Sequence, residues 1–325
     1  VIGPKTTVLT VLCGDQRPPD MDSIESAADV RYTDEKGLAE ALRGADALFV
    51  YDFLSGAVPA AWHAADRIRW VHIASAGVDP VMFPELRDSE VILTNSRGVF
   101  DSSIAEYVLG VVIAFAKDLS RSLDLQRERR WQHRESERVA GRRALVVGTG
   151  PIGRAIARLL RAAGMPVSGM GRRARDDDPD FGTVYASADL VRVLPEFDYV
   201  IAVAPLTEQT KGLFDGAAFA AMKPTARFVN VGRGELVVTS DLVQALRDGR
   251  IAGAALDVFE TEPLPSDHPL WTLPNVLVSP HMSGDFAGWR NTLVEVFADN
   301  FERWQTDLPL RNVVDKQLGY VPSGH

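Results

Sequence analysis

The stretch Ala144-Leu145-Val146-Val147-Gly148-Thr149-Gly150-Pro151-Ile152-Gly153 decides the fold. Ala144 to Val147 is a short apolar run, β-branched at its end, as in a strand covered on both faces. Gly148, Gly150 and Gly153 follow in G-x-G-x-x-G spacing. The first glycine permits a tight turn, the second lets backbone approach a pyrophosphate, and the third lets a helix pack close on the strand. A helix is expected from Ile152 to Ala163, with Ile152, Ile156, Leu159 and Leu160 at helical spacing. The unpaired N–H groups of its first turn make an anion site. The spacing alone also occurs in plain turns. The strand before it and the helix after it make it a dinucleotide-binding turn, with Gly148, Thr149, Gly150, Pro151, Ile152 and Gly153 against the cofactor.

Outward from this turn, strands and helices alternate in both directions. Strands are expected at Val167–Met170, Tyr199–Val203, Arg227–Val231, Gly253–Asp257 and Val276–Ser279, with helices at Gly216–Met222 and Ser240–Asp248. Towards the start, Val8–Leu12, Val30–Tyr32, Ala47–Val50, Trp70–Ile73 and Val91–Thr94 read as strands. Helical segments at Gly37–Arg43 and Pro59–Ala65 fall between them. This is the pattern of α/β parallel sheets with helices on both faces. Two long helices complete the set. One runs from Asp101 to Lys117, with Asp101 or Ser102 as N-cap, and the other from Trp289 to Gln305. Asp118 to Arg138 reads as a solvated, charged helix and loop.

At 325 residues the chain suggests two domains. A net charge of −9 argues against a nucleic-acid surface. Cys13 has no second cysteine to bridge, which fits a reducing, cytoplasmic setting and suits a buried small side chain. No run approaches the ~20 apolar residues of a membrane span. Val1 to Gly14 reads as a first strand and not as a signal peptide. The six histidines lack metal-ligand spacing, so no metal site is expected.

Three clusters sit at strand ends of the second half, where open α/β sheets place ligands. In Asn230-Val231-Gly232-Arg233-Gly234, an arginine between glycines can meet a carboxylate with two parallel hydrogen bonds. Asp257 to Pro265 carries Asp257, Glu260 and Glu262 before prolines that keep the chain extended. Ser279-Pro280-His281-Met282-Ser283-Gly284 carries a histidine. Each alone has an ordinary reading: a surface arginine, solvated acids, a structural histidine. Together they supply what reduction of a 2-oxo acid needs. Histidine donates a proton near neutral pH, a carboxylate orients it, and a guanidinium holds the substrate.

With these motifs in this order, the chain resembles the D-isomer-specific 2-hydroxyacid dehydrogenase family, most closely its glyoxylate/hydroxypyruvate reductase branch. The resemblance implies two Rossmann-like doubly wound domains. Residues 1–100 and 287–325 would form a flavodoxin-like substrate domain, and 101–286 an inserted dinucleotide-binding domain. It implies that Arg233 binds substrate, that His281 is the acid/base, and that Glu262 pairs with His281. Val231 and Asp257 would lie against the cofactor, Asp257 at its nicotinamide end. The substrate carboxylate would meet the loop Ser75-Ala76-Gly77, through backbone N–H groups of Ala76 and Gly77. A homodimer formed through the cofactor domain is implied as well.

NAD enzymes place an acid about 20 residues past the glycines, on the ribose hydroxyls. Here the second cofactor strand is followed by Gly171-Arg172-Arg173-Ala174-Arg175. Arg172 and Arg173 suit a 2′-phosphate, so NADP(H) is preferred and NAD(H) is not excluded. The alternative is a solvated basic turn facing Asp176-Asp177-Asp178. Asp285 reads as a cap before Trp289. Asp52, in Tyr51-Asp52-Phe53-Leu54, disfavours a doubly anionic substrate, which leaves small 2-oxo or 2-hydroxy monocarboxylic acids. The rival readings are a phosphite-type dehydrogenase and a cofactor-sensing, corepressor-like binding module of the same fold.

Overall fold

The protein is described from a computed structural model over residues 6–322. The chain divides into two compact units: Val1–Val99 with Phe286–His325, and Phe100–Asp285.

The first unit holds five parallel strands, β1 (Thr7–Leu12), β2 (Ala28–Thr33), β3 (Ala47–Val50), β4 (Trp70–Ile73) and β5 (Ile92–Asn95). They lie in the order β2-β1-β3-β4-β5. This is the flavodoxin-like order, in which the chain reverses direction between β1 and β3. Every residue of β3 and β4 is buried, and all but His72 of β4 are apolar. Helix Trp289–Gln305 belongs to this unit through its aromatic face. Phe297 stacks on Phe49 at 4.0 Å between ring centroids and on Trp70 at 5.3 Å.

His72, on β4, is fully buried beneath this helix. Its Nδ1 lies 2.8 Å from Thr94 Oγ1 and its Nε2 3.2 Å from Ser96 Oγ. Burial pushes its pKa down to about 3, so the folded protein keeps this ring neutral. The unfolded chain takes up the proton below about pH 6.5. Stability from this site is therefore complete above that pH and lost as pH falls towards 3. At pH 5 the loss is about 2 kcal/mol. Urea midpoints measured at pH 7 and pH 5 are expected to separate less in His72→Asn than in the parent. Equal separations would contradict this account.

The second unit holds β6 (Ala144–Val147), β7 (Val167–Gly171), β8 (Arg175–Asp178), β9 (Gly182–Ala186), β10 (Tyr199–Ala202), β11 (Arg227–Asn230), β12 (Gly253–Leu256) and β13 (Val276–Val278). Their order is β13-β12-β11-β10-β6-β7-β9-β8. All neighbours are parallel except β8 on β9. The reversal falls between β6 and β10, so the glycine turn after β6 opens where a doubly wound sheet binds ligands.

Two sequence expectations change, and one element has no sequence signal. The β8–β9 hairpin escapes a pattern reading because β8 is an all-charged run with no alternation. It is held instead by ions: Asp178, nearly buried, takes two 2.9 Å bonds from Arg154 and a third from Arg175. The hydrogen bonds from Arg154 outweigh burial and hold the Asp178 carboxyl well below the usual range. Helix Asp101–Ala116 has Phe100 at its N-cap and no side-chain capping bond, so neither Asp101 nor Ser102 caps it. Helix Trp289–Gln305 starts after Gly288, at φ +88°, and not on Asp285. Gly288 takes that left-handed turn without steric cost.

Candidate functional site

The glycine turn has a distinct steric reason at each glycine. Gly148 sits at φ +122°, and a Cβ there would lie 2.7 Å from Ala204 N. A Cβ on Gly153 would lie 1.9 Å from Gly148 O, so only glycine lets the helix start so close to the strand. A Cβ on Gly150 would meet no protein atom within 4 Å and would project into open space. That space lies at the start of helix Pro151–Ala162, with Gly150 at the N-cap and proline at the first helical position. Open space beside free N–H groups fits a dinucleotide pyrophosphate. Thr149 packs across Gly169 and Gly171, the latter immediately before Arg172. Arg172 and Arg173 are exposed just beyond β7. Asp178, the buried acid nearest in sequence, is committed to Arg154 and Arg175.

Arg233, Glu262 and His281 come from three neighbouring strand ends of this same unit. Asn230 shapes the turn after β11: its Oδ1 accepts from Gly232 N at 3.1 Å and its Nδ2 donates to Arg233 O at 2.9 Å. Val231 is buried, with its N–H on Ala202 O at 3.0 Å. A Cβ on Gly234 would fall 1.9 Å from the carbonyl carbon of Phe259. The loop bearing Arg233 therefore lies directly on the loop that leads to Glu262.

Glu262 bridges outward from that contact. Its Oε1 accepts from Phe259 N at 2.8 Å, and its Oε2 lies 2.7 Å from His281 Nδ1. Burial pushes the Glu262 carboxyl up, but bonds from His281 and Phe259 and the charge of Arg233 outweigh it and hold it low. The ionised carboxylate thus receives Nδ1–H, which leaves Nε2 as the working nitrogen. No protein group pairs with Nε2 among the described residues. His281 and Glu262 side chains are each about one-third exposed, at 32% and 30%.

His281 itself sits at φ +52°, a conformation that costs a non-glycine residue roughly 1 kcal/mol. Asp257 holds it there. The Asp257 carbonyl accepts from His281 N, and its fully buried carboxylate accepts from Met282 N, Ser283 N and Ser279 Oγ. Those bonds make Asp257 an anchor of the turn that carries His281. Tyr107, whose hydroxyl lies 2.6 Å from Ser279 Oγ, supports the same turn. Tyr107 carried no sequence signal, and Ser279 was marked only by its place just before Pro280-His281.

Ser75, Ala76 and Gly77 belong to the other unit, after β4. Ser75 Oγ donates to Gly77 O at 2.5 Å, and Asn95 Nδ2 donates to Ala76 O at 2.6 Å. With the carbonyls so pinned, the N–H groups of Ala76 and Gly77 donate to no protein acceptor among the described residues. Among the described residues no group of acids, cysteines or histidines is placed to hold a metal ion. No helix there is long and apolar enough to cross a membrane.

A doubly wound sheet with a glycine phosphate turn and an imidazole–carboxylate pair at its carboxyl edge defines a nicotinamide-dinucleotide oxidoreductase fold. Residues 109–283 match the family described as D-isomer specific 2-hydroxyacid dehydrogenase, NAD binding domain. A glyoxylate reductase of Thermococcus onnurineus is 34% identical over 274 residues, 81% of this chain and 80% of that protein. The NADPH-dependent glyoxylate/hydroxypyruvate reductase of Sinorhizobium meliloti, solved with NADP and sulfate, superposes with a TM-score of 0.82 at 27% identity. That match covers 97% of this chain and 100% of that one. A D-isomer specific 2-hydroxyacid dehydrogenase of Xanthobacter autotrophicus, solved with NADPH and MES, gives a TM-score of 0.80 at 29% identity, over 97% and 100% of the two chains. The chain belongs to the D-isomer specific 2-hydroxyacid dehydrogenase family. Its two units are the two Rossmann-like domains of that family, and its cofactor is a nicotinamide dinucleotide.

Proposed function

We propose that the protein reduces small 2-oxo monocarboxylic acids of the glyoxylate/hydroxypyruvate type to D-2-hydroxy acids, with NADPH as the preferred reductant. The observation that carries this reading is the 2.7 Å pair of His281 Nδ1 with Glu262, within the electrostatic reach of Arg233. The nicotinamide, when bound, supplies a hydride to the carbonyl carbon. Arg233 grips the substrate carboxylate and polarises the carbonyl. His281, protonated on both nitrogens, gives its Nε2 proton to the carbonyl oxygen and keeps Nδ1–H on Glu262. The product is the hydroxy acid, and His281 is left neutral. Ala76 and Gly77 offer their N–H groups to a carboxylate. Arg172 and Arg173 take the 2′-phosphate. A homodimer is part of this reading, supported by the exposed apolar side chains of Ile113, Leu119, Leu123 and Trp131.

The test is a panel of 2-oxo acids with NADPH and with NADH. Turnover of monocarboxylates is expected, with kcat/KM about 10-fold or more higher for NADPH, as one or two charge-assisted bonds would give. A larger kcat/KM with NADH would overturn the role of Arg172 and Arg173. Cofactor binding with negligible turnover would favour a sensing module instead.

Glu262→Gln replaces the charged acceptor of His281 Nδ1 with a neutral one, and is expected to lower kcat at neutral pH by about 10-fold or more with NADPH affinity near the parent's. A kcat equal to the parent's would count against the pairing.

A further inference from the structure

Beyond helix Trp289–Gln305 the chain returns to the sheet of the first unit. β5 is the edge strand there, and residues 312–314 run along its outer side. Val313 bridges Thr94 in the antiparallel sense, and Val314 N donates to Leu93 O at 2.8 Å. Asn300, buried on the helix, accepts from Arg311 N at 2.8 Å and donates to Arg311 O at 3.0 Å. Covering a sheet edge asks only for backbone. Asn312 does more than cover. It sits at φ +56°, a conformation that asparagine tolerates better than most residues. Its carbonyl accepts from Asn95 N at 3.3 Å, and its Nδ2 donates to Arg97 O at 3.0 Å. One residue thus grips both ends of Asn95-Ser96-Arg97.

That gripped segment sets the direction of the peptides in Ser75-Ala76-Gly77. In a planar trans peptide the C=O and the N–H point opposite ways. Fixing one carbonyl therefore aims the N–H of the following residue. Ser96 N donates to Ser75 O at 2.9 Å, which aims the N–H of Ala76. Asn95 Nδ2 donates to Ala76 O at 2.6 Å, which aims the N–H of Gly77. The Asn95 amide is itself oriented, because its Oδ1 accepts from Arg97 N at 3.2 Å. Its side chain is buried, so no bulk water competes for either end. Both fixings hang on the segment that Asn312 holds. Two successive N–H groups aimed the same way form an anion-binding concavity, and rotating either peptide would present a carbonyl in its place.

We infer that Asn312 is a positioning residue for the carboxylate loop: acting through Asn95 and Arg97, it keeps the N–H groups of Ala76 and Gly77 turned to the substrate. This rests on the reading of the protein as a 2-oxo acid reductase whose substrate carboxylate meets that loop. Asn312 itself touches no substrate in this account. The carboxylate does not react, so its bonds to the loop are equally strong in the ground state and the transition state. Loosening them raises KM and leaves kcat in place. A purely structural role for Asn312 would instead reduce the amount of active protein, which lowers kcat and leaves KM alone.

The test is a double-mutant cycle on Asn312→Gly and Asn95→Ala, assayed with glyoxylate and NADPH. Glycine at 312 keeps the left-handed backbone and the carbonyl, and removes only the side-chain bond to Arg97 O. Asn312→Gly is expected to raise KM for glyoxylate about 5–10-fold, as loss of one oriented hydrogen bond would. Its kcat and its NADPH affinity, read by fluorescence titration, are expected to stay within about twofold of the parent's. Asn95→Ala is expected to raise KM at least as far. The double variant is expected to match Asn95→Ala, because Asn312 acts through the residue already removed. An unchanged KM in Asn312→Gly, a loss that falls on kcat instead, or effects that multiply in the double variant would overturn this role while leaving the reductase reading intact. A parent that binds NADPH but reduces no 2-oxo acid overturns both.

Discussion

Arg233→Ala is expected to lower kcat/KM for 2-oxo acid reduction by about 10³-fold, near 4 kcal/mol of transition-state stabilisation. The size follows from two jobs lost at once. In the proposed reaction the guanidinium holds the substrate carboxylate through a planar fork, and it polarises the carbonyl as negative charge builds on oxygen. Arg233→Lys should recover only part of this, because an ammonium offers a point charge and no fork. The side chain is only partly buried, on a turn set by Asn230, so the thermal midpoint should stay close to the parent's. Steady-state kinetics with NADPH check the effect. A kcat/KM within tenfold of the parent's would remove Arg233 from the chemistry.

The second large effect is expected at His281. His281→Asn should reduce kcat by about 10²–10⁴-fold, the usual contribution of a positioned general acid. Asparagine is the informative replacement because it tolerates the left-handed backbone that this position adopts at φ +52°. The turn and its bonds to Asp257 should then survive, and NADPH affinity should stay near the parent's. Fluorescence titration of the cofactor beside kcat separates the two readouts. A parallel loss of cofactor affinity would mean that the turn had collapsed, whereas an unchanged kcat would exclude His281 as the donor.

Much of the fold was legible because its signals are local. The β-branched run before Gly148 and the glycines after it specify strand, turn and helix within ten residues. The central strands of both sheets read as apolar runs because they are covered on both faces. What escaped was whatever depends on distant partners. The Arg175–Asp178 strand has no apolar pattern, and its fixing partner, Arg154, lies on a helix more than twenty residues earlier. Asp257 looked like one acid among several. Its burial and its grip on residues 279–283 exist only once β12 and β13 lie side by side. Arg233, Glu262 and His281 stood out beside glycines and prolines, and the turn geometry brings Glu262 and His281 into bonding distance.

The division of labour between the two units has a consequence for how such an enzyme can change. In the proposed reaction the acid, its orienting carboxylate and the guanidinium all ride on the Phe100–Asp285 unit, together with the glycine turn. Ser75, Ala76 and Gly77 ride on the other. Drift in the amino-terminal sheet can therefore retune which acid is welcomed while the proton-handling apparatus is inherited whole. Chimaeras exchanging that sheet among relatives would be a practical way to collect new selectivities without rebuilding the reactive centre.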